Sequence, residues 1–126
     1  MTLDELKFDG AGLIPVCILD ARTGRLLTLA YANREALERT IASQETHLWS
    51  RSRGKLWRKG EESGNVQEVR EIFVDCDADT ILLKVHQIGG AACHEGFASC
   101  FFRKLDNGEL KTIGERLFDP KQVYKK

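Results

Sequence analysis

The densest chemistry-bearing stretch is Asp75-Cys76-Asp77-Ala78-Asp79. In an extended segment side chains alternate, so Asp75, Asp77 and Asp79 share one side with neighbours about 6.6 Å apart. Three carboxylates so placed repel one another unless a cation or several donors offset the charge. A hard divalent ion such as Mg²⁺ suits oxygen ligands of this kind. An EF-hand loop is excluded, because its sixth and twelfth positions need Gly and Glu and here hold Thr80 and His86. A solvated acidic turn is the plainer alternative. In the same extended geometry Cys76 points away from the carboxylates and serves a second site, one that another subunit could complete.

The natural partners of Cys76 are Cys93 and Cys100, which bound Cys93-His94-Glu95-Gly96-Phe97-Ala98-Ser99-Cys100. Three thiolates fill three positions of a tetrahedral zinc and leave the fourth for water, the arrangement of a catalytic centre. No CxxC pair occurs, and three small buried hydrophobes are the competing reading. His94, beside Cys93, is placed to move a proton near such a water. His47 and His86 read as structural histidines and Cys17 as core. A third cluster is basic: Ser50-Arg51-Ser52-Arg53-Gly54-Lys55-Leu56-Trp57-Arg58-Lys59-Gly60, followed by Ser63-Gly64-Asn65. Arginine forks, hydroxyls and loop amides are what phosphate recognition needs. Trp49 and Trp57 interleave with the cations, so a nucleic-acid face is the rival reading and a solvated hairpin the plainest.

The elements that must position these groups follow from local pattern. Ile14 to Leu19, the turn Asp20 to Gly24 and Arg25 to Ala30 read as strand, turn and strand. Asn33 is an N-cap for a helix with Leu37 and Ile41 on one face. His47-Leu48-Trp49 and Leu56-Trp57 read as strands about a turn at Arg53-Gly54. Val66 to Val74 reads as a strand with Val69 and Phe73 on one face and Glu68, Arg70 and Ile72 on the other. Thr80 to Val85 is another, and Phe101-Phe102 starts a last one turned at Asp106-Asn107-Gly108. One main helix against many antiparallel strands gives an α+β class, with residues 1–126 as a single domain.

Composition agrees. Of 126 residues 42% are hydrophobic and 30% charged, a globular balance. Nineteen basic and nineteen acidic side chains leave no net charge, which argues against nucleic acid and anionic membrane as partners. The longest apolar stretch, Leu13 to Leu19, is far short of the roughly 20 residues that cross a bilayer. The opening Met1-Thr2-Leu3-Asp4-Glu5 has no basic leader, so the expected setting is cytoplasmic and the four cysteines are expected as thiols.

Taken together the motifs resemble those of the phosphoribosyl-AMP cyclohydrolase family. The resemblance rests on Leu29-Ala30-Tyr31-Ala32-Asn33, Trp49-Ser50-Arg51-Ser52-Arg53, Leu56-Trp57-Arg58-Lys59-Gly60-Glu61, Ser63-Gly64-Asn65, Asp75-Cys76-Asp77-Ala78-Asp79, Cys93-His94-Glu95-Gly96 and Ser99-Cys100-Phe101. It implies an intertwined homodimer that hydrolyses the N1–C6 bond of the adenine ring of 1-(5-phosphoribosyl)-AMP. It also implies zinc on Cys76, Cys93 and Cys100 with ligands from both subunits, and Mg²⁺ on Asp75, Asp77 and Asp79. The expected mechanism is attack by a zinc-activated water, with His94 as proton carrier. Ser50, Arg51, Arg53, Lys59, Ser63 and Gly64 are the expected phosphate contacts. Glu62 and Glu95 depart from the family's usual residues. A paralogue acting on another purine nucleotide is the alternative within the family, and a zinc-stabilised nucleic-acid module the alternative outside it.

Overall fold

The computed structural model describes residues 2–123. A four-stranded sheet is built from β1 (Ile14–Asp20), β2 (Leu26–Ala32), β5 (Gln67–Val74) and β6 (Ile81–Gln87), in the order β2-β1-β6-β5. β1 pairs antiparallel with β2 and parallel with β6, and β6 pairs antiparallel with β5. The first two strands form a hairpin. The chain then makes α1 (Arg34–Ser43) and a two-stranded hairpin, β3 (His47–Ser50) with β4 (Lys55–Arg58), before returning to the sheet. A second hairpin, β7 (Arg103–Asp106) with β8 (Glu109–Thr112), precedes the short α2 (Pro120–Val123). The expected α+β class with mainly antiparallel strands and one main helix holds, with a single parallel pairing at its centre.

One face of the sheet is the core. Ile14, Val16 and Ile18 of β1 and Ile81, Leu83 and Val85 of β6 are fully buried there, against Ala36 and Leu37 of α1 and Leu48 of β3. At ~25 cal/mol per Å² of apolar surface, each such side chain contributes about 1.5–3 kcal/mol. Asn33 caps α1 as expected, its side chain accepting from the Ala36 amide at 2.8 Å. The buried stripe of α1 is Ala36, Leu37 and Thr40, whereas Ile41 is exposed. Thr40 takes the inward position because its hydroxyl donates to the Ala36 carbonyl and accepts from the His47 amide at 2.9 Å, tying the helix to β3.

The opposite face is less covered. Leu29, Cys17, Leu82 and Phe73 lie in register across all four strands, half-buried or exposed. Cys17 therefore lies outside the core that its apolar strand suggested. β5 also departs from simple alternation. A bulge between Val69 and Glu71 shifts the phase at Arg70, so Val69 opposes Val85 while Phe73 opposes Leu82 on the other face. Val69 and Phe73 thus do not share a face; Val69 shares one with Ile72, which opposes Leu83. The strand expected to start at Phe101 is β7 and begins two residues later, at Arg103, with its turn at Asn107 and Gly108 as expected. Among the described residues no helix is long and apolar enough to cross a membrane.

Candidate active site

The connection from β6 to β7 carries two of the thiols. Gly96, at φ +94°, closes a tight turn in which its amide donates to the Cys93 carbonyl at 2.9 Å and the Cys93 amide to the Phe97 carbonyl at 3.1 Å. A Cβ at Gly96 would lie 2.3 Å from the Phe118 carbonyl oxygen, so no larger residue fits. Further on, Ser99 Oγ donates to the Leu26 carbonyl at 2.8 Å and the Cys100 amide to the Leu27 carbonyl at 2.8 Å. These bonds fix Cys100 against β2. Cys93 is buried and Cys100 half-buried, and both are free thiols. Burial pushes the Cys93 thiol up, the Glu95 amide opposes this, and the neighbouring Cys100 raises it further. Burial lowers the Lys59 ammonium, while Cys100 and Cys93 act in the opposite direction. The two thiols thus interact with each other, and both act electrostatically on the Lys59 ammonium of the β4 exit.

The basic stretch forms the β3–β4 hairpin and its exit loop. Gly54, at φ +62°, closes the turn with its amide on the Ser50 carbonyl at 2.8 Å. Arg53 and Lys59 both lie over the Trp57 ring, at 5.9 and 5.5 Å from its centroid. Two adjoining cavities of about 610 and 790 Å³ share Ser50, Ser52, Arg53, Trp57 and His94, and so form one groove. Lys59 and Ser63 line one part and Arg51 the other. Gly64 lines neither; it donates to the Gly60 carbonyl and shapes the loop. Glu61 and Glu62 also line the groove, which brings acidic groups among the expected phosphate contacts. Two further residues line the groove without having been expected there: Tyr31, beneath Arg51, and Ser52. The only signal for Tyr31 was its place in Leu29-Ala30-Tyr31-Ala32-Asn33.

The aspartates lie at the β5–β6 connection, which is a turn and not an extended segment. Asp75 Oδ1 accepts from the Asp79 amide at 3.0 Å and the Thr80 amide at 3.2 Å, and Ala78 takes φ +63°. Curling replaces alternation, and one oxygen from each of Asp75, Asp77 and Asp79 lies within 4.8 Å of the others. Desolvation works to raise the Asp75 carboxyl, but hydrogen bonds from Asp79, Asp77 and Thr80 outweigh it and hold Asp75 below the usual carboxylate value. Asp79 is pushed up by its hydrogen bonds with Asp77 and Asp75. Convergent oxygen donors fit a hard divalent cation. Cys76 is exposed in the same turn. Among the described residues of one chain the aspartates are the only group of three or more such donors, so Cys76 does not join Cys93 and Cys100 within a chain.

His47 and His86 separate. His47 Nδ1 sits 3.0 Å from the Glu45 carbonyl, a structural setting, whereas His86 is exposed and lines a different cavity.

The phosphoribosyl-AMP cyclohydrolase family profile matches residues 28–102, more than half of the chain. A phosphoribosyl-AMP cyclohydrolase of Pelotomaculum thermopropionicum is 57% identical, over 98% of this chain and 96% of its own length. One of Pseudomonas fluorescens is 56% identical over 97% and 92%, and one of Methanococcoides burtonii 54% identical over 97% and 98%. The match takes in the Trp49–Gly60 hairpin, the aspartate turn and both thiols of the β6–β7 loop, and on that evidence the chain belongs to the phosphoribosyl-AMP cyclohydrolase family.

Proposed function

We propose that this chain hydrolyses the N1–C6 bond of the adenine ring of 1-(5-phosphoribosyl)-AMP, the third step of histidine biosynthesis, as a cytoplasmic enzyme. The observation that carries the reading is a groove lined by Arg51, Arg53, Lys59 and His94, with the Cys93 and Cys100 thiols within electrostatic reach of Lys59. Adjacent thiols are soft donors suited to zinc. One chain supplies two, and the third, Cys76, reaches them from a second copy in an intertwined homodimer. The in-register row Leu29–Cys17–Leu82–Phe73 is the apolar face that such a copy covers. Cys76, Cys93 and Cys100 would hold a zinc ion, which would supply a Lewis acid that makes water acidic near neutral pH. Asp75, Asp77 and Asp79 would hold Mg²⁺.

The chain's own groups do the rest. Arg51, Arg53, Lys59, Ser50 and Ser63 bind the substrate phosphates, with the loop at Gly64 shaping their seat, so the purine is held in the groove. The oxygen of water adds to C6, the C6–N1 bond breaks, and His94 carries the proton to N1.

Two inactive variants test the shared centre. Cys76→Ser and Cys93→Ser each abolish turnover and lower bound zinc. Mixed in equal amounts and allowed to exchange subunits, they recover about a quarter of wild-type activity, because half of the dimers carry one intact centre of two. No recovery on mixing, with exchange verified, overturns the intersubunit centre. Bound zinc without turnover on phosphoribosyl-AMP points to another purine nucleotide as substrate.

A further inference from the structure

A separate cavity of about 530 Å³ opens at the end of the sheet away from the aspartate turn. Its walls come from the β1–β2 turn, the Arg70 bulge and the last residues of β6. Arg22, Arg25, Arg70 and His86 line it. Its single carboxylate, Asp20, is already engaged, with Oδ2 accepting from the Thr23 hydroxyl at 2.6 Å and the Thr23 amide at 2.9 Å. Arg70 lies 3.4 Å from Glu68 in an exposed pair, and Arg22 and Arg25 enter no ion pair among the described residues. Three guanidiniums against one occupied carboxylate give a local excess of positive charge in a chain with none overall. Guanidinium forks lining a concavity are matched by a planar or tetrahedral oxyanion. The volume is that of a small-molecule site.

This cavity shares no lining residue with the groove. The two are separated by the β6–β7 loop, with Gly90 and Ala98 facing the cavity and His94 facing the groove. We propose that the Arg22–Arg25–Arg70 cavity is a second anion site, distinct from the groove, that binds a phosphate monoester. Its occupant rests on the reverse side of the loop that carries Cys93 and His94.

Inorganic phosphate is the probe, titrated calorimetrically into full-length protein. Arg51→Gln/Arg53→Gln removes groove binding and leaves one phosphate site. Adding Arg22→Gln/Arg25→Gln to that variant weakens the remaining site more than about tenfold, the loss of roughly 1.4 kcal/mol or more expected from charged hydrogen bonds. Arg22→Lys/Arg25→Lys, tested in parallel, retains part of it. In otherwise wild-type protein Arg22→Gln/Arg25→Gln leaves the KM for phosphoribosyl-AMP unchanged. Unaltered phosphate affinity in the combined variant, or no site surviving the groove substitutions, overturns the proposal. A raised KM also overturns it, since the arginines then belong to the substrate site. Should the combined variant fail to fold, Arg25→Gln alone in the groove background carries the same comparison.

Discussion

The Arg51 guanidinium lies 3.9 Å from the centroid of the Tyr31 ring, joining the tip of the β3–β4 hairpin to strand β2. An exposed arginine has many rotamers to lose on binding a phosphate, and a ring beneath it reduces that loss. A stacked pair of this kind is worth about 0.5–1 kcal/mol. Tyr31→Leu is therefore expected to raise the KM for phosphoribosyl-AMP about two- to fivefold with little change in kcat, and Tyr31→Phe to restore it. Steady-state kinetics check this; a fall in kcat with unchanged KM contradicts the positioning role.

Gly60 is set by backbone and not by chemistry at the groove. It has φ +87°, and a Cβ there would lie 2.4 Å from Asn65 C and Val66 N. Gly60→Ala combines a left-handed conformation with a main-chain clash, so a loss of at least ~1–3 kcal/mol is expected. Urea unfolding measures it, and wild-type stability contradicts it.

A buried polar pair fastens the far ends of β5 and β6. Gln67 Nε2 donates to Gln87 Oε1 at 2.8 Å, and Gln87 Nε2 donates to the Asn65 carbonyl at 2.8 Å. Gln67 Oε1 has no hydrogen-bond partner among the described residues. Gln87→Leu strands the Gln67 amide as well, for about 1–3 kcal/mol. The double variant Gln67→Leu/Gln87→Leu is expected to recover part of that, since no side-chain amide is then stranded and only the Asn65 carbonyl loses its donor. Denaturation midpoints of the three proteins decide it.

Asp20 gives a pH signature. The Thr23 hydroxyl and amide hold its carboxyl below the usual value of 3.8. A depressed carboxylate stabilises the fold above its unfolded pKa, and the contribution disappears as pH falls through the folded one. Asp20→Asn is expected to melt below wild type at neutral pH, with the gap closing as the pH drops beneath 3.8. A gap that persists in acid contradicts the assignment.

What the sequence made legible was the chemistry written in neighbouring residues. Asn33 as a cap, Gly54 in the basic turn and Asn107-Gly108 in the last hairpin each need only a few adjacent positions, and the structure keeps all three. Features that depend on distant partners were not legible. The bulge at Arg70 arises from pairing with β6, and alternation read along β5 alone assigns Phe73 to the wrong face. Asp75 accepts two amides from its own turn, so the aspartates curl where their spacing suggested extension. Ile41 looked more suited to the core than Thr40 until the His47 amide was placed beside the Thr40 hydroxyl. For the candidate site, the residue types were legible and their neighbours were not. Nothing local to Lys59 says that two thiols act on its charge.

The bonds that fix Cys100 have a second effect. β2 is an outer strand of the sheet, and an outer strand with bare carbonyls templates the addition of a foreign strand. At its first residues those carbonyls are taken by Ser99 Oγ and the Cys100 amide. The thiol-bearing loop thereby seals the margin of the sheet at that end. Loosening it exposes a sticky border, so damage to this loop threatens solubility as well as catalysis.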